Sequence, residues 1–341
     1  MPEVPAHGTI PGEDGPIATL PISLLTGFLG SGKTTLLKRA LATREFADTA
    51  VVINELGEIG LDHYLVKAVA GPVLELPGGC LCCAIREDLA STLRDLMARR
   101  DSGSVPAFRR LIVETTGLAD PAPILFTLAA DATLEHGLRL DRVVATVDAT
   151  AAERTLSRYA EAARQLAVAD RVIVTKTDLR PWDEALRQAI AAHNAAAAPI
   201  AAVATEDLGD ILWGSTPEIT ARPRPPAGAA HTHGVSAHAI ALRKLCSRLE
   251  FARALGGLAR ERGDDLLRVK GILAFSDRPE RPAFVQGAQH ALYPPIWLEC
   301  WPDDERQGRL QFIVHGIALG DILERFACAA AEPYRPAALV S

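Results

Sequence analysis

The sequence lacks any excess of positive charge. Its 36 Lys and Arg are outnumbered by 42 Asp and Glu, for a formal net charge of −6. Non-specific nucleic-acid binding runs on basic surface, so that class is disfavoured. No apolar run reaches the ~18 residues that would span a bilayer, and no membrane partner is expected. The stretch MPEVPAHGTIPGEDGPIATLP carries no basic segment followed by an apolar one, so it does not read as a secretory signal. Residues 1–19 read instead as a flexible lead-in. Cysteine is scarce, and Cys246, Cys300 and Cys328 are scattered, so no disulfide framework is visible. A reducing cytoplasm is the simplest compartment.

What remains is ordinary globular composition, 48% hydrophobic and 23% charged, over a length that accommodates two domains. Short apolar runs alternate with helical patterns. Strands are predicted at 20–27, 49–54, 72–76, 109–114, 141–147, 170–176 and 199–204. Helices are predicted at 33–43, 84–99, 121–130, 151–167 and 182–193. This alternation implies βαβ units and a mostly parallel sheet flanked by helices, over a domain assigned to 20–213. Residues 214–237, with four prolines and no apolar periodicity, read as a linker. Beyond it, strands at 237–244, 266–275, 281–288, 295–300 and 309–316, with helices at 247–262 and 319–330, predict a smaller α+β domain over 238–341.

The strongest chemical signal is GFLGSGKT (27–34), a full match to G-x-x-x-x-G-K-[ST] between a predicted strand and a predicted helix. Glycines let backbone N–H groups converge on phosphate oxygens, and the helix N-terminus adds positive potential. Gly27, Gly30, Ser31, Gly32, Lys33, Thr34 and Thr35 are the nucleotide-binding candidates. Lys33 is to reach the β/γ-phosphates, and Thr34 to ligate Mg²⁺. The alternative is a plain Gly-rich strand–helix turn.

TKTD (175–178) ends a later strand. Asp178 can accept from N1 and N2 of guanine, a pair that adenine cannot complete, and unmade buried pairs are what discriminate. Lys176 lies along the base and Thr175 precedes it. The tetrapeptide tips the choice to GTP; the competing reading is a helix-capping Asp. Between these motifs stands VETTG (113–117). Glu114, at a strand end, is to hold the Mg²⁺ shell or orient water, and Gly117 can approach the γ-phosphate through its N–H. NELGEIGLDH (54–63) offers Asn54, Glu55, Glu58, Asp62 and His63, either as switch residues or as solvated charges, with Glu58 a candidate metal ligand.

GGCLCC (78–83) gathers Cys80, Cys82 and Cys83. In an extended segment Cys80 and Cys82 point to one side, and Cys83 sits at a helix start that favours its thiolate. Three soft ligands suit Zn²⁺ with an open fourth position, while Co²⁺ and Cu(I) also fit. Two other readings stand beside the metal. One is a redox pair, Cys80 and Cys83 at C-x-x-C spacing; the other is buried thiols at a turn. HTHGVSAH (231–238) holds three histidines in what reads as linker, either a transient metal tract or solvated loop. His290 and His315 read as satisfied sheet residues.

GFLGSGKTTLL, NELGE, GGCLCC, ETTGLADP and TKTDL occur in the order and approximate spacing of the CobW-like branch of the CobW/HypB/UreG GTPases, and the chain resembles that branch over nearly its whole length. LLRVKGILAF, FVQGAQH and RLQFIVHGI resemble its C-terminal domain. The resemblance implies a GTPase that binds GTP and Mg²⁺, carries Zn²⁺ or Co²⁺ on Cys80, Cys82 and Cys83, and delivers it to a client metalloprotein through the C-terminal domain or the switch region. A homodimer is a candidate assembly. Members usually write NEFGE where this chain has Leu56. Some carry a glutamate metal ligand at the position of Ile53, and some have longer histidine tracts. Two further classes stay open: a GTPase regulator with a purely structural zinc, and a P-loop small-molecule kinase.

Overall fold

A computed structural model describes residues 19–54, 73–76, 82–194, 197, 199–201, 208–213, 233–303 and 305–334. In its first half, seven strands form one sheet in the order β3-β2-β4-β1-β5-β6-β7. They are β1 (Leu20–Gly27), β2 (Thr49–Asn54), β3 (Val73–Leu76), β4 (Arg110–Glu114), β5 (Leu138–Asp148), β6 (Arg171–Thr175) and β7 (Pro199–Ala201). Every pairing is parallel. Parallel strands need covered faces, and β1 shows why its sequence is apolar on both sides. Leu20, Ile22 and Leu24 enter one apolar cluster, while Leu25 enters the cluster on the opposite face. Helices α1 (Lys33–Leu41) and α8 (Leu208–Leu212) pack that second face. Helices α2 (Cys82–Asp101), α3 (Pro121–Ala130) and α4 (Ala132–Gly137) contribute to the first.

Helices α5 (Ala152–Arg158), α6 (Ala160–Ala167) and α7 (Glu184–Ala191) pack over β5 and β6. The single helix predicted over 151–167 is therefore two. Tyr159 between them is extended, at φ −120° and ψ 116°. The break turns its ring onto Phe28, with centroids 4.6 Å apart. That aromatic contact outweighs helix propensity, which in an Ala-rich stretch does not mark a break. Strand β5 starts three residues earlier than the pattern indicated, and it takes up a register shift against β1 between Ile22 and Ser23.

The second half is an antiparallel sheet in the order β11-β10-β9-β13-β8-β14, with β12 on β10. Its strands are β8 (Val235–Leu242), β9 (Leu266–Phe275), β10 (Arg278–Ala288), β11 (Ala291–Leu292), β12 (Ile296–Trp297), β13 (Gly308–His315) and β14 (Ala331–Pro333). One face carries α9 (Arg248–Arg262) and α10 (Leu319–Arg325), through Phe251, Leu255, Leu258, Ile322 and Phe326. The last helix is shorter than predicted over 319–330. It ends at Arg325, and Ala327–Ala329 form a 3₁₀ turn closed by Ala330 at φ 48°.

The other face packs on the first half. Val235, Leu267, Ala288 and Ile313 join one buried cluster with Leu20, Leu138, Leu140 and Val168. A register shift of β9 against β13 at Leu266 lets the sequence neighbours Leu267 and Arg268 both face that way. Asp170, just before β6, receives Arg268 at 2.9 Å, Lys270 at 2.9 Å and the Val143 N–H at 2.8 Å. The hydroxyl of half-buried Tyr293 donates to Leu125 O at 2.6 Å.

Candidate active site

Because the strands of the first sheet are parallel, their C-terminal ends share one edge, and a ligand crevice is expected there. The loop after β1, the Glu114–Gly117 turn after β4, Asp148 ending β5 and Thr175–Asp178 ending β6 all lie at that edge. Gly30 at φ 72° and Gly32 at φ 93° shape the loop, a conformation that side chains with a Cβ rarely adopt. α1 starts directly after Gly32, so its free N–H groups open toward the loop.

Lys33 is buried at 8% exposure. Its ammonium donates to Gly27 O at 2.8 Å and Phe28 O at 3.3 Å, the carbonyls of its own loop. The Thr34 hydroxyl donates to Glu114 Oε1 at 2.7 Å across 80 residues of sequence. Two oxygen donors, one anionic, thus meet at the mouth of the loop. That donor set suits a hard cation such as Mg²⁺. Thr115 donates to Thr26 Oγ1 at 2.9 Å, fixing the ETTG strand end beside β1. Gly117 is pressed against the loop: a Cβ there would come within 2.6 Å of Leu29 N. Thr116 braces the turn, accepting Leu118 N at its hydroxyl (3.2 Å) and Ala119 N at its carbonyl (3.1 Å).

The TKTD segment is tied to the same loop. Thr175 Oγ1 donates to Ser31 O at 2.8 Å and to Val147 O at 3.2 Å. Lys176 adopts φ 57°, a left-handed conformation that is costly for a residue with a Cβ. Its ammonium reaches Asp148 Oδ2 at 2.6 Å. Burial would raise the Asp148 carboxyl, but Lys176 and the Thr150 N–H and hydroxyl outweigh it and hold the group below the usual carboxylate range. Asp178 is exposed at the edge. Thr35, on the first turn of α1, is likewise exposed.

The structure also brings in residues that the sequence reading passed over. Asp148 orients Lys176, and Thr146 shares a 2.6 Å hydroxyl contact with Ser31. The only advance signal was their position at the end of a predicted strand, which names no partner.

Of the cysteine cluster, Cys80 lies outside the described residues, as do Glu55, Glu58, Asp62 and His63. Cys82 and Cys83 open α2, two residues ahead of the predicted start; their side chains lie outside the described set. Ile53 is buried in the apolar cluster on the α1 side of the sheet, so it supplies no polar ligand. His290 and His315 make polar contacts to Asp264 and Asp265, each at 3.3 Å. Among the described residues, no three His, Cys, Asp or Glu side chains gather as a metal would need, and no helix is long and apolar enough to cross a membrane.

A parallel sheet carrying GFLGSGKT, ETTG and TKTD at one edge defines a P-loop GTPase. The chain belongs to the CobW/HypB/UreG family: its nucleotide-binding domain model matches residues 21–203, and the cobalamin synthesis protein CobW C-terminal domain matches 235–329. The zinc chaperone YjiA of Escherichia coli (strain K12) is 35% identical over 299 residues, covering 86% of this chain and 93% of that protein. The zinc chaperone CobW of Pseudomonas aeruginosa is 30% identical over 359 residues, covering 92% and 90%. The solved structure of zinc-bound YjiA GTPase from E. coli superposes with a TM-score of 0.67 at 28% identity, covering 91% of this chain and 99% of that one.

Proposed function

We propose that this GTPase is a metallochaperone: it binds Zn²⁺, or Co²⁺, at Cys80, Cys82 and Cys83 and couples GTP hydrolysis to handing the ion to a client metalloprotein. The observation that carries the reading is topological. β3 runs parallel to β2, and α2 opens on Cys82 and Cys83. β3 therefore ends at the edge that also bears the P-loop and the ETTG turn. The relatives named as zinc chaperones support the choice of cargo.

In this reading Lys33 exchanges the carbonyls of Gly27 and Phe28 for the β- and γ-phosphates, trading two neutral acceptors for anionic ones. Thr34 and Glu114 hold Mg²⁺, which when bound neutralises charge on the phosphate oxygens. Gly117 offers its N–H toward the γ-phosphate, and its lack of a Cβ lets the turn approach the loop. Asp178 accepts from guanine, while Asp148 fixes the Lys176 stem along the base. The ion is cargo rather than a resident group. An incomplete shell of three thiolates suits release, since a closed four-ligand shell is what structural sites use. Coupling then requires that the ion bind the GTP and GDP states with different free energies, and linkage makes the effect mutual. The client docks at the C-terminal domain or the switch edge.

The test is GTP turnover in protein loaded with stoichiometric Zn²⁺ or Co²⁺ against the metal-free chain. A changed rate is expected, and equal rates in protein shown to hold the ion would refute the coupling. Cys82→Ser separates a carried ion from a structural one. Loss of metal transfer with an unchanged melting temperature is expected; loss of folding stability would make the zinc structural.

A further inference from the structure

Helix α6 carries a residue that the chemistry above does not use. Gln165 is 1% exposed, and its side-chain amide donates to Gly117 O at 3.1 Å and Ala119 O at 2.9 Å. Both amide hydrogens thus go to the ETTG turn. Its Oε1 is buried and has no hydrogen-bond partner among the described residues. A buried acceptor left unmade is unfavourable, and an apolar side chain of the same size would avoid that. The glutamine is explained only by what its two N–H groups hold.

The neighbouring residue grips the same segment: Arg164 pairs with Asp120 at 2.8 Å, and Asp120 caps α3 by accepting Ala122 N at 3.0 Å. The helix that bears this pair is itself fixed at both ends. At its start, Tyr159 stacks on Phe28 of the P-loop. Around its end, Asn194 Nδ2 donates to Leu166 O at 2.7 Å and Ala169 O at 2.9 Å, and Arg268 of the C-terminal sheet donates to Val168 O.

We infer that Gln165 is a positioning residue for GTP hydrolysis: by holding the Gly117 and Ala119 carbonyls it sets where the ETTG turn stands over the P-loop. The inference rests on the reading of Gly117 as the γ-phosphate neighbour. Gln165 acts through that peptide and need not touch nucleotide. Misplacement of a reacting contact by an ångström costs about 100-fold in rate, and loss of both bonds removes the contacts that hold the Gly117 and Ala119 carbonyls from α6. GDP, which has no γ-phosphate, should be bound as before.

The experiment measures GTP turnover, GDP affinity and melting temperature for the full chain and for Gln165→Met, which matches the side chain in length but cannot donate. The expected result is kcat lowered by about 10- to 100-fold with GDP affinity unchanged. Parental turnover overturns the inference. So does a parallel fall of turnover and GDP affinity, which would make the role merely structural. If Gln165→Met does not fold, Gln165→Glu decides. Its turnover relative to the parent should rise as pH falls, because the protonated carboxyl can donate and the carboxylate cannot. A flat ratio overturns the inference. Gly117→Ala separates the two readings: impaired Gly117→Ala with normal Gln165→Met refutes the glutamine's role alone, and normal Gly117→Ala removes the reading of Gly117 beneath it.

Discussion

Replacing Asp170 by Asn should be among the most damaging single changes outside the nucleotide site. Asp170 is 6% exposed and receives Arg268, at 5% exposure, and Lys270, at 12%, both at 2.9 Å. Burial alone would raise its carboxyl; the charges of Arg268 and Lys270 and the Val143 N–H overcome that and bring it down to about 2. A carboxylate held that far below its unfolded value contributes about 2 kcal/mol at neutral pH. The sign is fixed: the contribution is complete above the unfolded value near pH 4 and drains away as pH falls toward 2. Asp170→Asn costs more than this, because buried Arg268 and partly buried Lys270 are left facing an amide. Removal of one partner from a buried pair costs about 3–5 kcal/mol. The assay is urea unfolding followed by tryptophan fluorescence, with Trp213 reporting the nucleotide half and Trp297 the C-terminal half in single-Trp backgrounds. Both reporters should shift to lower urea. Asp170→Asn combined with Arg268→Met and Lys270→Met should recover much of the loss, since removing both cations leaves no orphan charge. A midpoint unmoved by Asp170→Asn at either reporter would refute the reasoning.

Three smaller perturbations follow from the same kind of reading. Gly32→Ala places a Cβ at φ 93°, 3.3 Å from Thr175 Cγ2. The left-handed strain of about 1–2 kcal/mol should appear chiefly as weaker GDP binding in a fluorescent-nucleotide titration. Ser247→Ala removes the capping box that Ser247 and Glu250 form at the start of α9; it should cost about 1 kcal/mol by denaturant melting and leave GTP turnover unchanged. Thr175→Val keeps the shape but removes the hydroxyl that donates to Ser31 O. Nucleotide affinity should fall with little change in stability.

How much of this could be read from sequence depended on whether the physics was local. The P-loop, ETTG and TKTD were legible because each is a short run whose glycines, lysine or carboxylate must sit at fixed offsets. The parallel sheet was legible because strands covered on both faces, such as β1, are continuously apolar. The two-helix break was not, because Tyr159 is extended by a contact with Phe28 that lies 131 residues away. Gln165 is one polar position on an Ala-rich helix, and its partners, Gly117 and Ala119, belong to another segment. The Asp170 cluster was invisible for the same reason, since Arg268 and Lys270 come from a different domain. Residues that pair across about 100 positions leave no local pattern. The cysteine motif stands where it stood, as spacing and chemistry, because its side chains lie outside the described residues.

These magnitudes also say where a nucleotide signal can travel. Coupling energies between sites are typically about 1–3 kcal/mol. Swinging the two halves apart would part Asp170 from Arg268 and Lys270 and would expose the shared apolar cluster containing Leu267, Ala288 and Ile313; water repays part of the first loss but not the second. Exposure of that surface opposes a hinge between the two halves, and we expect them to move as one body. The expected change lies at the strand ends, where the segment 117–120 is tied to α6 by two neutral hydrogen bonds from Gln165 and by the ion pair of Arg164 with Asp120. Hydrogen exchange reads this directly. The Val143 amide, which donates to Asp170 at 2.8 Å, should be equally protected with GDP and with a non-hydrolysable GTP analogue. The Leu118 and Ala119 amides of the turn should differ between the two. A nucleotide-dependent change at Val143 would show that the domain interface itself is the hinge.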